Sequence, residues 1–118
     1  MEFKKQKPIY LQIADTLCDS IAVGEWKEQE RIASLRDIGA ELGVNPNTVL
    51  RTYDFLQQND IIYNQRGMGY FVCKGACSRI RTLQQQEFIH EVWPDVLQRI
   101  QRLGLSIDDL MNPPASKV

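Results

Sequence analysis

A tight turn at residues 43–46 is the feature that most constrains the fold. Gly43 closes one amphipathic segment, as glycine commonly does at the end of a helix. Only Val44 and Asn45 follow before Pro46, which suits the first turn of a new helix with Asn45 as its N-cap. Two helices joined by so short a turn are typical of a helix-turn-helix unit.

Apolar residues at helical spacing predict three helices in the first half of the chain. The first is expected over residues 8–23, the second from a capping Ser34 to Gly43, and the third over residues 46–59. In the second and third helices, the positions predicted to face the core are Leu35, Ile38, Leu42, Val49, Tyr53 and Leu56.

Two β-rich runs, at residues 61–63 and 70–72, flank a tip at residues 66–69 that contains two glycines. A hairpin after three helices predicts a winged helix-turn-helix domain over residues 1–75. The fold class is therefore expected to be mostly α with a small β-hairpin.

The last third of the chain returns to a helical pattern. It predicts a two-helix dimerisation segment over residues 76–112, with a kink or break near Trp93 because of Pro94, and a frayed tail at 113–118. The apolar face is too broad for one helical hairpin to hide, which favours a homodimer, while packing on the chain's own winged domain stays open. The residues expected at the dimer interface are Leu83, Phe88, Val92, Trp93, Val96, Ile100, Leu103 and Leu110.

Composition limits the classes of function. The net charge is −1, so a nucleic-acid surface must be a local patch. The candidates for it are Lys4, Lys5, Lys7, Arg36, Arg51 and Arg66, with a solvated tail as the alternative for the three lysines. Three cysteines without a C-x-x-C pair and a single histidine predict no disulfide framework, no metal site and no cofactor. No catalytic constellation is found, so no enzyme is expected. A charged N-terminus and the lack of a membrane-spanning apolar run predict a cytoplasmic protein.

The start of the third helix is suited to DNA. A recognition helix enters the major groove with its N-terminal end, which also attracts phosphate. Asparagine offers the donor and acceptor that an adenine edge pairs with. Asn45, Asn47 and Thr48, with Arg51 one turn further on, are therefore candidates for a DNA-facing surface. Simple capping by Asn45, with the others solvated, stays the alternative.

These residues also resemble a known family. The stretch RIASLRDIGAELGVNPNTVLRTYDFL, followed by QRGMGYFV, strongly resembles the GntR superfamily of bacterial transcription regulators, and the match covers residues 8–73 almost without gaps. The GVNPNTV turn and the short helical C-terminal part are similar to the YtrA-like subfamily.

The resemblance implies roles in binding DNA. It places Arg36 at a phosphate and Gly67 in the wing near the minor groove. The residues that it assigns to the DNA surface are Ser34, Arg36, Asn45, Pro46, Asn47, Thr48, Arg66 and Gly67.

The chain departs from the family pattern at several positions. The usual Pro-Gly after the first helix is Glu28-Gln29, the proline before the second helix is Ala33, and the base-contacting Arg of many relatives is Leu50. Arg51 is next to Leu50 but points about 100° away on an ideal helix. We therefore expect an operator sequence that differs from those of such relatives.

Simpler alternatives stay open for the arginines, which can form surface ion pairs or be solvated. These alternatives are Arg36 paired with Glu41, Arg51 paired with Asp54, and Arg66 exposed in a loop.

The sequence thus predicts a homodimeric repressor that binds a double-stranded DNA operator, with helix 46–59 in the major groove and the 66–69 hairpin as wing. The alternative is a winged-helix module that binds proteins and not DNA, which the near-zero net charge would suit. Whether a small-molecule effector exists is not predicted.

Overall fold

A computed structural model describes residues 7–113. Residues 1–6 and 114–118, which include most of the predicted tail, lie outside the described residues. The described chain divides into two compact units, one ending at Gln84 and the other beginning at Gln85. None of the helices formed by residues 7–113 has the length and apolar character needed to cross a membrane.

The first unit contains three helices, a hairpin and the start of a fourth helix. In chain order these elements are α1 (Ile9–Ala22), α2 (Leu35–Leu42), α3 (Pro46–Gln58), β1 (Ile62–Gln65), β2 (Gly69–Val72) and α4 (Ala76–Glu87). β1 and β2 pair antiparallel, from Ile62 opposite Val72 to Gln65 opposite Gly69. The predicted fold class, mostly α with a small hairpin, is confirmed.

The core of the first unit lies where α1, α3, the hairpin and α4 meet. Its fully buried side chains with the largest volumes are Ile21, Val49, Thr52, Tyr53, Leu56, Ile61, Ile62, Val72 and Ile80. The prediction that Leu42 faces inward is wrong, because its side chain is 41% exposed at the last residue of α2.

Two buried polar side chains of α3 tie it to other segments. The Thr52 hydroxyl donates to the Tyr10 carbonyl in α1 at 2.7 Å, and the Tyr53 hydroxyl donates to the Ala33 carbonyl before α2 at 2.7 Å. The Tyr53 ring also meets Tyr70 of β2 edge-on, with centroids 4.7 Å apart. Burial raises the pKa of Tyr53 above its usual range, so its hydroxyl stays a donor even in mildly alkaline solution.

The loop between α1 and α2 runs along β2. The Gln29 N–H donates to the Val72 carbonyl at 2.8 Å, and the Ile32 N–H donates to the Tyr70 carbonyl at 2.9 Å. Gln29 has a φ of 70°, in the left-handed region that favours glycine, and it stands where the family pattern has glycine. The loop therefore makes these hydrogen bonds at a backbone cost of about 1 kcal/mol at Gln29.

The turn between α2 and α3 depends on a close approach at Gly39. The Val44 N–H donates to the Gly39 carbonyl at 2.9 Å, which folds the chain back onto α2. A Cβ atom added at Gly39 would lie 2.9 Å from the Val44 carbonyl oxygen and 3.6 Å from the Pro46 ring. Glycine at this position is thus what lets α3 begin so soon after α2.

The second unit consists of the end of α4, a π-helical turn at Phe88–Val92, α5 (Trp93–Arg102) and α6 (Ile107–Met111). Pro94 lies in the first turn of α5, where its missing N–H costs little, and the π-helical turn lies just before it. The helical conformation continues through Trp93 without the predicted break, and the irregularity next to Pro94 is this π-helical turn.

We predict that Gly39→Ala destabilises the chain by about 1–3 kcal/mol, because the new methyl group must displace the Val44 carbonyl. The measurement is the urea midpoint of unfolding followed by circular dichroism. Ala replacing Gly inside a helix without a clash is normally stabilising by about 1 kcal/mol. An increase in the midpoint would therefore contradict the close approach.

Candidate nucleic-acid interface

The start of α3 is exposed and is organised by its cap. The Asn45 side-chain oxygen accepts from the Asn47 N–H at 2.7 Å, and Pro46 occupies the first turn. The capping interpretation of the Asn45 oxygen is therefore confirmed. The side chains of Asn45, Pro46 and Asn47 all face solvent.

Three polar side chains share one face at this end of α3. Arg51 follows Asn47 by four positions and Thr48 by three, which places it on the same side of the helix as both. With Tyr10 of α1 they line an open cleft of about 300 Å³. Leu50, next to this face, is 39% exposed. The structure thus brings together three of the residues that the sequence selected.

Arg51 stacks on Tyr10. Its guanidinium carbon lies 4.1 Å from the centroid of the Tyr10 ring, a cation–π geometry. Within residues 7–113, no ion pair joins Arg51 to Asp54, so the predicted alternative partner is replaced by Tyr10. Sequence reasoning missed this contact, because Tyr10 and Arg51 lie in different helices, far apart in the chain.

A second group of residues gathers at the start of α2. The Ser34 hydroxyl caps the helix by accepting from the Asp37 N–H at 3.1 Å, and Arg36 is exposed beside it. Both line an open cleft of about 350 Å³ that Arg31 also lines. No ion pair joins Arg36 to Glu41 in the described part of the chain.

Arg31 is a basic residue at this cleft that sequence reasoning missed. Its backbone bridges to Phe71 of β2, and its side chain approaches Gly69, where an added Cβ would lie 3.0 Å from Nε. The signal was present in the RIASLR stretch, but only the second arginine was selected.

The hairpin tip is a tight turn closed by the Met68 N–H, which donates to the Gln65 carbonyl at 2.8 Å. Gly67 has a φ of 78°, as the third residue of a type II turn requires. Arg66 is exposed, and Met68 beside it is 55% exposed. The tip therefore presents a cation and an apolar side chain to solvent.

In the second unit, the residues predicted for a dimer interface differ in exposure. Phe88, Leu103 and Leu110 are 50%, 64% and 46% exposed. Val92, Trp93 and Val96 are half-buried, while Ile100 is buried within the single chain. Leu83, in the first unit, packs against that unit's own core.

The described residues form no metal site, and the buried thiol of Cys18 is unreactive. No group of three His, Cys, Asp or Glu side chains in residues 7–113 is arranged to hold a metal ion. Burial, with smaller contributions from Asp15 and Asp19, raises the pKa of the Cys18 thiol to about 12, so it is not a nucleophile at neutral pH. Cys77 is exposed.

Known proteins resemble this chain in sequence and in the fold described above. No family model matches the chain. The chain is 30% identical over 110 residues to the uncharacterized HTH-type transcriptional regulator YhcF of Bacillus subtilis, across 93% of this chain and 89% of that protein.

Two further similarities point the same way. A crystal structure of a GntR-family protein from Bacteroides thetaiotaomicron superposes with a TM-score of 0.77 at 40% identity, covering 88% of this chain and 90% of that one. The HTH-type transcriptional repressor YtrA of Bacillus subtilis is 30% identical over 73 residues, 62% of this chain and 56% of that protein.

We predict that Asn45→Ala lowers the free energy of unfolding by about 1 kcal/mol, because it removes the cap acceptor of α3. Asn45→Asp retains an oxygen at the same position and should stay within a few tenths of a kcal/mol of the unmodified chain. Both are measured by urea unfolding.

Asn47→Ala is the matched control, since the Asn47 side chain has no hydrogen bond within the described residues and only its backbone N–H meets the cap. If Asn45→Ala and Asn47→Ala have the same small effect, the cap does not stabilise α3 as described.

Proposed function

Because the chain belongs to the GntR family of transcription regulators, in its YtrA-like subfamily, we propose that it is a homodimeric repressor that binds a specific double-stranded DNA operator. The bound dimer would occupy promoter DNA and exclude the transcription machinery. One of its relatives bears the name of a repressor, which supports this direction of regulation.

The observation that carries the proposal is the exposed polar face at the start of α3. Asn47 and Arg51 lie on the side of α3 opposite its buried residues, and the half-buried Thr48 lies at the margin of that side. All three line one cleft at the end of the helix that enters a major groove in helix-turn-helix proteins. Side chains that carry amide, hydroxyl or guanidinium groups can form hydrogen bonds with base edges in the major groove. Leu50 adds an apolar group that can meet a thymine methyl.

Phosphate contacts would come from the exposed arginines. Arg36 and Arg31 line one cleft at the start of α2, and Arg66 is exposed at the hairpin tip. The net charge of −1 makes these local cations the available attraction for DNA. Ser34 and Asn45 act mainly by capping the two helices that carry the contacts.

Dimerisation would be provided by the second unit. Its exposed apolar side chains, among them Phe88, Leu103 and Leu110, are more than a small helical unit usually leaves to water. A twofold dimer would cover them with the same residues of a second chain. Two copies of α3 would then suit an operator made of two half-sites.

We assign no catalytic role to the chain, since the relatives are regulators. The residues of the proposed site make contacts suited to binding and not to bond cleavage.

We predict that Arg36→Ala and Arg66→Ala each weaken binding to the chain's own upstream DNA and to a scrambled duplex alike. Each loss should reduce the slope of log affinity against log salt by about 1, because one phosphate contact is lost. Fluorescence anisotropy titrations at several salt concentrations measure both quantities.

Arg81→Ala is the control, since Arg81 is an exposed arginine on α4 that lines neither cleft of the proposed surface. Equal and weak binding of the unmodified chain to both DNAs would contradict the proposal and favour a protein-binding module.

We also predict that the chain sediments as a dimer and that Leu103→Glu shifts it towards monomer, because a charge would be buried at the interface. Analytical ultracentrifugation across a concentration series measures the equilibrium. Val23→Glu is the control, since Val23 is 73% exposed and lies in the first unit. A monomeric unmodified chain would refute the dimer.

A further inference from the structure

We propose that Tyr10 is a specificity-determining positioning residue, which holds the Arg51 guanidinium on the DNA-facing side of α3. The inference rests on the proposed function, since it concerns which base pair of the operator Arg51 reads. Tyr10 itself lies in α1 and is assigned no contact with DNA.

The ring of Tyr10 is the contact that the Arg51 head group makes. The guanidinium carbon lies 4.1 Å from the ring centroid. Arg51 is exposed, and no acceptor among residues 7–113 takes a hydrogen bond from its guanidinium group. The side chain is thus oriented by the aromatic ring while its N–H donors stay available.

α3 itself fixes the position of Tyr10. Thr52, the residue after Arg51, is fully buried, and its hydroxyl donates to the Tyr10 carbonyl at 2.7 Å. The same hydroxyl also approaches the Thr48 carbonyl at 3.3 Å. Two adjacent residues of α3 therefore contact Tyr10. Thr52 donates a hydrogen bond to its backbone carbonyl, and Arg51 stacks on its ring.

This arrangement affects both geometry and entropy. Stacking engages the face of the guanidinium group, whereas its five N–H donors lie in its plane, where two of them can pair with a guanine. A free arginine loses much of its rotamer freedom on binding, and a side chain already held on a ring loses less. With Leu50 beside it unable to donate, Arg51 is the cationic base reader on this face, and Tyr10 sets its direction.

The test begins with selection of preferred sequences from a random duplex pool by the unmodified full chain. Anisotropy then measures discrimination between the selected duplex and versions changed at each base pair. The base pair whose preference disappears in Arg51→Ala is the one that Arg51 reads. At that base pair, we expect Tyr10→Leu to lose about three- to fivefold in discrimination, the size of an exposed cation–π contact.

Two further variants separate positioning from a general loss of structure. Tyr10→Phe keeps the aromatic face and should restore the discrimination, while Tyr10→Leu in the Arg51→Ala background should have no further effect. Urea midpoints establish that the variants are folded, and Tyr10→Met replaces Tyr10→Leu if the latter is not.

The outcomes distinguish the two proposals. A chain that enriches no sequence would overturn the proposed function and this inference together. Selection of a clear sequence, with Tyr10→Leu discriminating as well as the unmodified chain or with no base pair depending on Arg51, would overturn the inference alone.

Discussion

The close approach of the turn to Gly39 determines where the rest of the first unit can lie. Because the Val44 carbonyl and Pro46 lie against the α2 backbone, only two residues separate Gly43 from the start of α3. Its apolar side then enters the core, and Thr52 and Tyr53 reach backbone carbonyls of α1 and of the segment before α2. A buried hydroxyl without such a partner would cost on the order of 1–3 kcal/mol, so these two hydrogen bonds also select one orientation of α3.

The exposed end of α3 follows from the same geometry. Its buried contacts come from Val49, Tyr53 and Leu56, which leaves Asn47 and Arg51 on the opposite side. An overall charge of −1 is compatible with a cationic surface there, because field strength near the protein depends on local arrangement and is screened over about 10 Å. The Asn45 side-chain oxygen caps α3 and is therefore unavailable to a ligand. The neighbouring Asn47 side chain has no hydrogen bond among the described residues and remains available.

The sequence predicted the elements well because their signals are local. Capping residues, glycine at Gly43 and apolar spacing act within one or two helical turns, and they placed α3 and the hairpin closely. The resemblance added Ser34, Pro46 and Gly67 to candidates that charge and helix-end chemistry had already selected. Three features escaped prediction because they depend on tertiary structure: the contact between Tyr10 and Arg51, the need for glycine at position 39, and the left-handed backbone at Gln29. Partners 41 positions apart leave no periodic trace in a single sequence.

The π-helical turn at Phe88–Val92 has a consequence for how the second unit can change over evolution. Hydrogen bonds from residue i to i+5 accommodate one residue more than an α-helical turn does. The wider turn therefore absorbs the extra residue, and the side chains of α5 keep nearly the same phase relative to the residues just before the turn. In a continuous α-helix, one added residue would instead rotate the apolar stripe that follows it by about 100°. This segment can thus gain or lose one residue with little change in which side chains share a face.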